Sequence, residues 1–182
     1  MNTGILAVVA LLTVVLVYAA IRFLTRYIRL RGQRVITCPE TSKPAGVELS
    51  AARDAATALV GGTSLRLRDC SRWPERAGCG QECLSQIEAA PDDCLVRSIV
   101  AKWYEGKSCT LCGKELGNLD WAQHRPCLLT PGQRTVEWKD VAPEAVPEVL
   151  KTHKPVCWDC HVAETFRREH PELVTDRNWK RV

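Results

Sequence analysis

An uncharged apolar run near the start of the chain constrains this sequence more than any other feature. The run covers Gly4 to Ile21, and Thr13 and Tyr18 are its only polar interruptions. About 20 apolar residues in a helix cross the hydrocarbon core of a bilayer. A buried core helix is the alternative, but such a helix is rarely so apolar on all sides at the extreme N-terminus. We therefore predict a single-pass transmembrane helix with the lipid bilayer as its partner.

The charge that follows this run predicts its direction. Five arginines lie close together directly after it: Arg22, Arg26, Arg29, Arg31 and Arg34. The side of a span that is rich in Lys and Arg stays in the cytoplasm, so we predict a cell-membrane protein whose C-terminal domain is cytoplasmic. Such a cluster can also contact anionic lipid headgroups. It accounts for the net charge of +4, and we do not expect the protein to bind nucleic acid.

A cleaved signal peptide is the alternative to an anchor. Val17-Tyr18-Ala19 has the small flanking residues of a cleavage site. A secretory signal carries positive charge before its apolar segment, however, and the stretch Met1 to Gly4 has no Lys or Arg. The position of the arginines therefore favours the anchor.

Two C-x-x-C pairs are the strongest chemical signal in the remaining sequence. They are Cys109-Thr-Leu-Cys112 and Cys157-Trp-Asp-Cys160, within a total of ten cysteines. A spacing of two residues lets both sulfurs face one point, and two such pairs commonly surround one ion with four thiolates. Gly113 directly after the first pair suits a tight turn. The sequence therefore predicts a zinc site with four cysteine ligands.

This arrangement resembles the treble-clef and zinc-ribbon class of modules, in which a C-x-x-C-G-K knuckle is followed by a second pair that leads into a helix. The resemblance covers roughly 107–170 and implies a structural zinc ion held by Cys109, Cys112, Cys157 and Cys160. The long spacer departs from compact ribbons. Four of its residues can pack over the site: Trp121, His124, Cys127 and Trp138.

A competing cofactor uses the same residues. Cys157-Trp-Asp-Cys160-His161 is the C-x-x-C-H attachment motif of c-type haem. In that chemistry the two cysteines form thioethers and His161 ligates the iron, with a second ligand from His124, His153 or His170. Haem attachment would require export of the domain and leaves Cys109 and Cys112 without a role.

Four further cysteines form a second candidate metal group: Cys38, Cys70, Cys79 and Cys83. Zinc is the expected ion here too, and an iron–sulfur cluster is the alternative because it is also held by four cysteines. Cys94 and Cys127 are left over. Cys94 lies in a helical pattern and is expected to be a small buried residue, whereas Cys127 could replace one of the assigned ligands. If the domain were exported, the ten cysteines could instead form five disulfides.

The pattern along the chain predicts three regions: 1–31 as the anchor with its basic flank, 32–106 as a cysteine-rich region with short helices, and 107–182 as the zinc-ribbon-like region. We expect helices over 49–59, 84–88, 93–105, 144–150 and 157–170, a strand over 65–69, and otherwise irregular structure over 141–155. The predicted fold class is thus a transmembrane helix followed by a small, metal-stabilised α+β domain.

No catalytic motif accompanies the cysteines. The four histidines lie outside any H-E-x-x-H pattern, and the sequence contains no phosphate-binding glycine loop. A closed set of four thiolates is typical of structural zinc, whereas catalytic zinc keeps an open position. We therefore expect a zinc-binding interaction or accessory module rather than an enzyme, with other membrane-associated proteins as partners. Trp73, Trp103, Trp158 and Trp179 are the candidate interface residues, and an electron carrier is the alternative function.

Overall fold

The structure is a computed structural model that describes residues 3–62, 65–76, 78–117, 119, 121 and 125–174. Contacts within the chain divide the protein into two compact units, Met1–Val96 and Arg97–Val182. The first unit contains one long apolar helix and a small sheet with short helices. The second is a small α+β unit that contains the two C-x-x-C pairs.

The apolar run forms a single helix, α1, over Thr3–Leu30. Its 28 residues correspond to about 42 Å at 1.5 Å per residue. The helix is long and apolar enough to cross a membrane, and a signal sequence would satisfy the same criteria. Because a bilayer core is about 30 Å thick, roughly the last eight residues would extend beyond it. These last turns lie against the second helix of the unit, and Leu30 is buried in the core.

Three antiparallel strands form the sheet of the first unit. They are β1 (Gln33–Thr37), β2 (Pro44–Leu49) and β3 (Leu67–Cys70), in the order β1-β2-β3. The predicted strand over 65–69 is confirmed, although it begins later than expected, at Leu67. The hairpin formed by β1 and β2, in which Val35 lies opposite Gly46, was not predicted.

Two short helices complete the first unit, α2 (Ala51–Leu59) and α3 (Leu84–Ala89). Both were predicted. Ser50 stands at the N-cap of α2, although its side chain makes no capping hydrogen bond. The core between the sheet and the helices is aliphatic and includes Ile36, Val47, Leu49 and Ile87, which are all at most 4% exposed.

The second unit contains α4 (Val96–Tyr104), α5 (Val146–Thr152), α6 (Trp158–Glu169) and a sheet of three-residue strands. These strands are β4 (Cys127–Leu129), β5 (Thr135–Glu137) and β6 (Lys154–Val156), with β4 in the centre. The helices were predicted, but the sheet was not, and β6 corrects the expectation of irregular structure up to residue 155. Pro155 is tolerated because β6 is an edge strand.

Candidate metal centre

The first cysteine pair lies on a tight knuckle. An isolated bridge between Ser108 and Glu115 closes its base. The amide of Cys109 donates to the carbonyl of Lys114, and the amide of Gly113 donates back to the carbonyl of Cys109, both at 2.8 Å. Gly113 has φ +77°, a left-handed conformation that a glycine adopts without steric cost. The turn thereby holds the Cys109 and Cys112 side chains on one side.

The second pair lies where β6 passes into α6. Cys157 is the N-cap of α6, and its sulfur accepts a hydrogen bond from the Cys160 amide at 3.4 Å. The unpaired amides and the dipole at a helix N-terminus favour a negative thiolate. The knuckle is tied to β6 because the Thr110 amide donates to the Pro155 carbonyl at 2.9 Å.

These two segments bring four sulfurs together. The ligand atoms of Cys109, Cys112, Cys157 and Cys160 all lie within 4.8 Å of one another, and the sulfurs of Cys112 and Cys157 are 3.7 Å apart. A tetrahedral zinc ion with bonds of about 2.3 Å separates its sulfur ligands by about 3.8 Å. Cys109 and Cys157 are buried, at 2% and 7% exposure. The predicted convergence of the two pairs on a metal-binding position is confirmed, and the group could hold a metal ion.

The electrostatics of this cluster favour one thiolate over the others. Burial alone would raise the pKa of Cys109, but amides of Cys157, Cys112 and Leu111 donate towards it and lower the pKa to about 7. The Cys157 amide lies 3.3 Å from the Cys109 sulfur. The pKa of Cys160 is raised far above that of an ordinary thiol, first by burial and then by the sulfur of Cys157. A divalent cation would remove this conflict, because it allows all four thiols to ionise.

Cys127 lies beside this cluster without joining it. It is fully buried on β4 and packs with Cys109 and Cys157. Its thiol donates to the carbonyl of Arg125 at 3.4 Å, and burial raises its pKa to about 12. Cys127 therefore lines the site in this structure as a buried thiol. Trp121 is half-buried, whereas His124 lies outside the described residues.

The haem motif shares its two cysteines with the four-cysteine cluster, so the two modes of ligation exclude each other. His161 itself is mostly buried at 12% side-chain exposure. Its ring packs at a tilt against Trp158 with ring centroids 5.5 Å apart, and its Nε2 lies 4.0 Å from Glu137. Burial, the largest effect, lowers the pKa of His161.

The second predicted group is distributed around a cavity of about 40 Å³ in the first unit. Cys38, Cys70, Cys79 and Cys83 all contribute to its lining. Among the described residues, only the Cys109 group has all its ligand atoms within 4.8 Å, so the sulfurs of this second group are more widely spaced. Burial raises the pKa of Cys83 to about 11, and the nearby thiols of Cys79, Cys70 and Cys38 add to the shift.

The prediction that Cys94 lies inside a helix is wrong, because α4 begins two residues later, at Val96. The Cys94 side chain is half-buried, and its thiol lies 3.8 Å from the Gln86 carbonyl. All ten cysteines are free thiols in the structure.

The predicted interface tryptophans are engaged within their own units. Trp73 packs against the core of the first unit, and Trp158 packs against the Cys109 cluster. The indole of Trp103 donates to the Leu150 carbonyl at 3.2 Å and carries the Lys107 ammonium 3.6 Å above its ring. Trp179 lies outside the described residues.

Comparison of the chain with protein-family models, with curated proteins and with solved structures finds no match.

Proposed function

We propose that this protein is a membrane-anchored zinc module. One zinc ion, bound by four thiolates, stabilises the second unit, and the chain acts through protein contacts rather than catalysis. The observation that carries this proposal is the convergence of Cys109, Cys112, Cys157 and Cys160 within 4.8 Å of one another. Four sulfurs leave no open coordination position for a substrate, as is typical of structural sites.

Zinc is the ion that fits this donor set best. Tetrahedral sites with four sulfurs select zinc or iron. Sulfurs within 4.8 Å of one another surround one ion, whereas a cluster with bridging sulfide holds its cysteines farther apart. A knuckle followed by a pair at a helix start supports assignment to the treble-clef and zinc-ribbon-like class. Haem at Cys157, Cys160 and His161 would leave the converging sulfurs of Cys109 and Cys112 without a partner.

Elemental analysis of the full chain, purified in detergent under reducing conditions, tests the metal assignment. We expect zinc and a colourless protein. The variant Cys109→Ser/Cys112→Ser should lose the ion from this site and lose hydrogen-exchange protection in β4 and α6, whereas Cys127→Ser, which changes a buried thiol outside the cluster, should keep the ion. A Soret band, or a double variant that keeps both its zinc content and its protection, would contradict the proposal.

The proposed anchor places α1 across the membrane with its basic end in the cytoplasm. Support comes from the length of α1, from its uncharged first 19 residues, and from the arginines in its last turns. A reporter that works only in the cytoplasm should be active when it is fused after Val182. Activity only of a periplasmic or lumenal reporter would overturn the orientation, and recovery of the chain without residues 3–20 would overturn the anchor itself.

The proposed role as an accessory subunit predicts a stable partner in the membrane. The chain solubilised in a mild detergent should migrate as a complex larger than the chain with its micelle, with a fixed protein composition. A monomer in native membranes would contradict this aspect of the proposal.

A further inference from the structure

A second set of cysteines in the first unit meets at one cavity. Cys38 directly follows β1, Cys70 is the last residue of β3, Cys79 lies in the loop after β3, and Cys83 is the N-cap of α3. All four line the same cavity of about 40 Å³. A cavity needs about 10–15 Å³ to hold one water molecule, so this space is large enough for an ion.

The loop of Cys79 has the features of a metal-binding knuckle. The amide of Gln81 donates to the Cys79 sulfur at 3.3 Å, as the Cys157 amide does to Cys109 in the second unit. Gln81 has φ +59°, a left-handed conformation that costs a non-glycine residue about 1–2 kcal/mol. The Gln81 side chain fixes this turn, because its Oε1 accepts a hydrogen bond from the Leu67 amide at 3.0 Å. The strained turn thus directs the Gln81 amide at the Cys79 sulfur.

A partly buried cationic group faces the same space. Arg72 lines the cavity, and its Nε is buried without a hydrogen-bond acceptor among the residues that the structure describes. The terminal Nη2 of Arg72 pairs with Glu75 at 2.8 Å, and the buried Nε–H remains a donor for another acceptor. A thiolate that carries some of the excess negative charge of a four-sulfur metal site is such an acceptor.

We propose that Cys38, Cys70, Cys79 and Cys83 form a second four-thiolate site, separate from the Cys109 site, that takes one zinc ion. The sulfurs are more widely spaced than those of the Cys109 group, and binding draws them together. Cys38, Cys79 and Cys83 lie on a turn, a loop and a helix start, so they approach an ion without a change in strand pairing. The ion then ties the end of β1, the end of β3 and the start of α3 together in a unit with a small core.

The ion content of four full-length proteins in detergent tests this site. After metal removal under reducing conditions, titration with Co²⁺ should show about two thiolate-bound equivalents in the wild type and about one in Cys79→Ser/Cys83→Ser. The variant Cys109→Ser/Cys112→Ser should keep about one equivalent, which shows the second site by itself. Cys94→Ser, which changes a half-buried thiol of the same unit outside the cavity, should bind as the wild type does.

The outcomes separate the two sites. Loss of all binding in Cys109→Ser/Cys112→Ser, with folded strands by hydrogen exchange, would overturn the second site and leave the first intact. A single equivalent that persists in this variant and disappears in Cys79→Ser/Cys83→Ser would support the second site and overturn the first. Iron with acid-labile sulfide in the protein as purified would overturn the zinc assignment.

Alkylation of the wild-type chain gives a readout that does not depend on a variant folding. Cys38, Cys79 and Cys94 are all half-buried. Zinc should slow the alkylation of Cys38 and Cys79 at least ten-fold relative to the metal-free chain, and should leave Cys94 unchanged. Equal protection of all three would indicate general compaction, and disulfide-linked Cys38 or Cys79 would exclude the site; either result overturns the proposal.

Discussion

The hydroxyl of Tyr104, at the end of α4, donates a hydrogen bond to the carbonyl oxygen of Cys127, on the central strand β4. Tyr104 is fully buried, and the indole of Trp138 donates to its hydroxyl oxygen at 3.1 Å. Burial raises the pKa of Tyr104 far above its ordinary value, so the phenol stays protonated and remains a donor. These two hydrogen bonds connect α4 to β4, the strand whose residue Cys127 packs beside the cysteine cluster.

Replacement of Tyr104 by Phe should destabilise the second unit. The change keeps the ring but leaves the buried Trp138 indole without its acceptor and removes a bond to the Cys127 carbonyl. An unsatisfied buried donor costs about 1–3 kcal/mol, so the β4 amides should exchange about five-fold faster or more. Hydrogen exchange on the zinc-loaded chain measures this. Exchange rates within two-fold of the wild type would show that the hydroxyl adds nothing to stability.

Replacement of Gly113 by Ala should weaken metal binding through the backbone alone. No atom lies within 4 Å of a Cβ built at this position, but φ is +77°, and a left-handed conformation costs a non-glycine residue about 1–2 kcal/mol. We expect zinc affinity to fall about five- to thirty-fold in competition with a chelator. Gly132→Ala is the matched control, since its Cβ would meet only the Thr130 hydroxyl at 3.8 Å and its φ is not positive. Equal affinities of the two variants would contradict a requirement for this turn geometry.

The affinity for zinc should decrease as the pH falls, and more steeply below about pH 7. Zinc binds thiolates, so binding releases protons. The pKa of Cys109 in the metal-free protein is about 7. Above that pH this thiol is already ionised, whereas below it one further proton must leave for each ion bound. Affinities measured from about pH 6 to pH 9 should therefore show a slope that increases by about one proton on the acidic side. A constant slope would mean that Cys109 is not the thiol that ionises first.

The Cys109 cluster could be predicted from the sequence because its chemistry is local. Each C-x-x-C pair needs only a turn or a helix start to orient its two sulfurs, and Gly113 and the helical pattern after Cys157 are visible in the residues. The apolar run was visible for the same reason, since about 20 consecutive apolar residues predict one long helix from the residues alone. The short helices also followed from apolar spacing.

The small sheet of the second unit could not be predicted in this way. Its strands contain three residues each, which is too few for an alternating pattern to emerge, and Pro155 argues against a strand. The hydrogen bonds of Tyr104 and the left-handed turn at Gln81 depend on contacts between segments that only the fold brings together. The second cysteine group was predicted from the pair Cys79 and Cys83 together with Cys38 and Cys70, but its spacing around a cavity had no sequence signal.

The role of Arg34 also could not be predicted from the sequence, which groups it with the arginines that follow the apolar run. In the structure its side chain is fully buried. Its guanidinium donates to the carbonyls of Leu30, Gly32 and Arg29 at 2.6, 3.1 and 2.9 Å. It thus caps the C-terminal end of α1, where carbonyls lack partners within the helix.

Replacement of Arg34 by Met should therefore loosen the junction between α1 and the sheet. The apolar side chain has a similar length but leaves three carbonyls without this donor, at a cost of about 1–3 kcal/mol. The amides of residues 31–35 should lose protection in hydrogen exchange, and protease should cut there at a higher rate. Arg31→Met is the matched control, since Arg31 is exposed and its removal deletes the same charge. If both variants change protection equally, the effect comes from the loss of one positive charge, and the capping role of Arg34 is wrong.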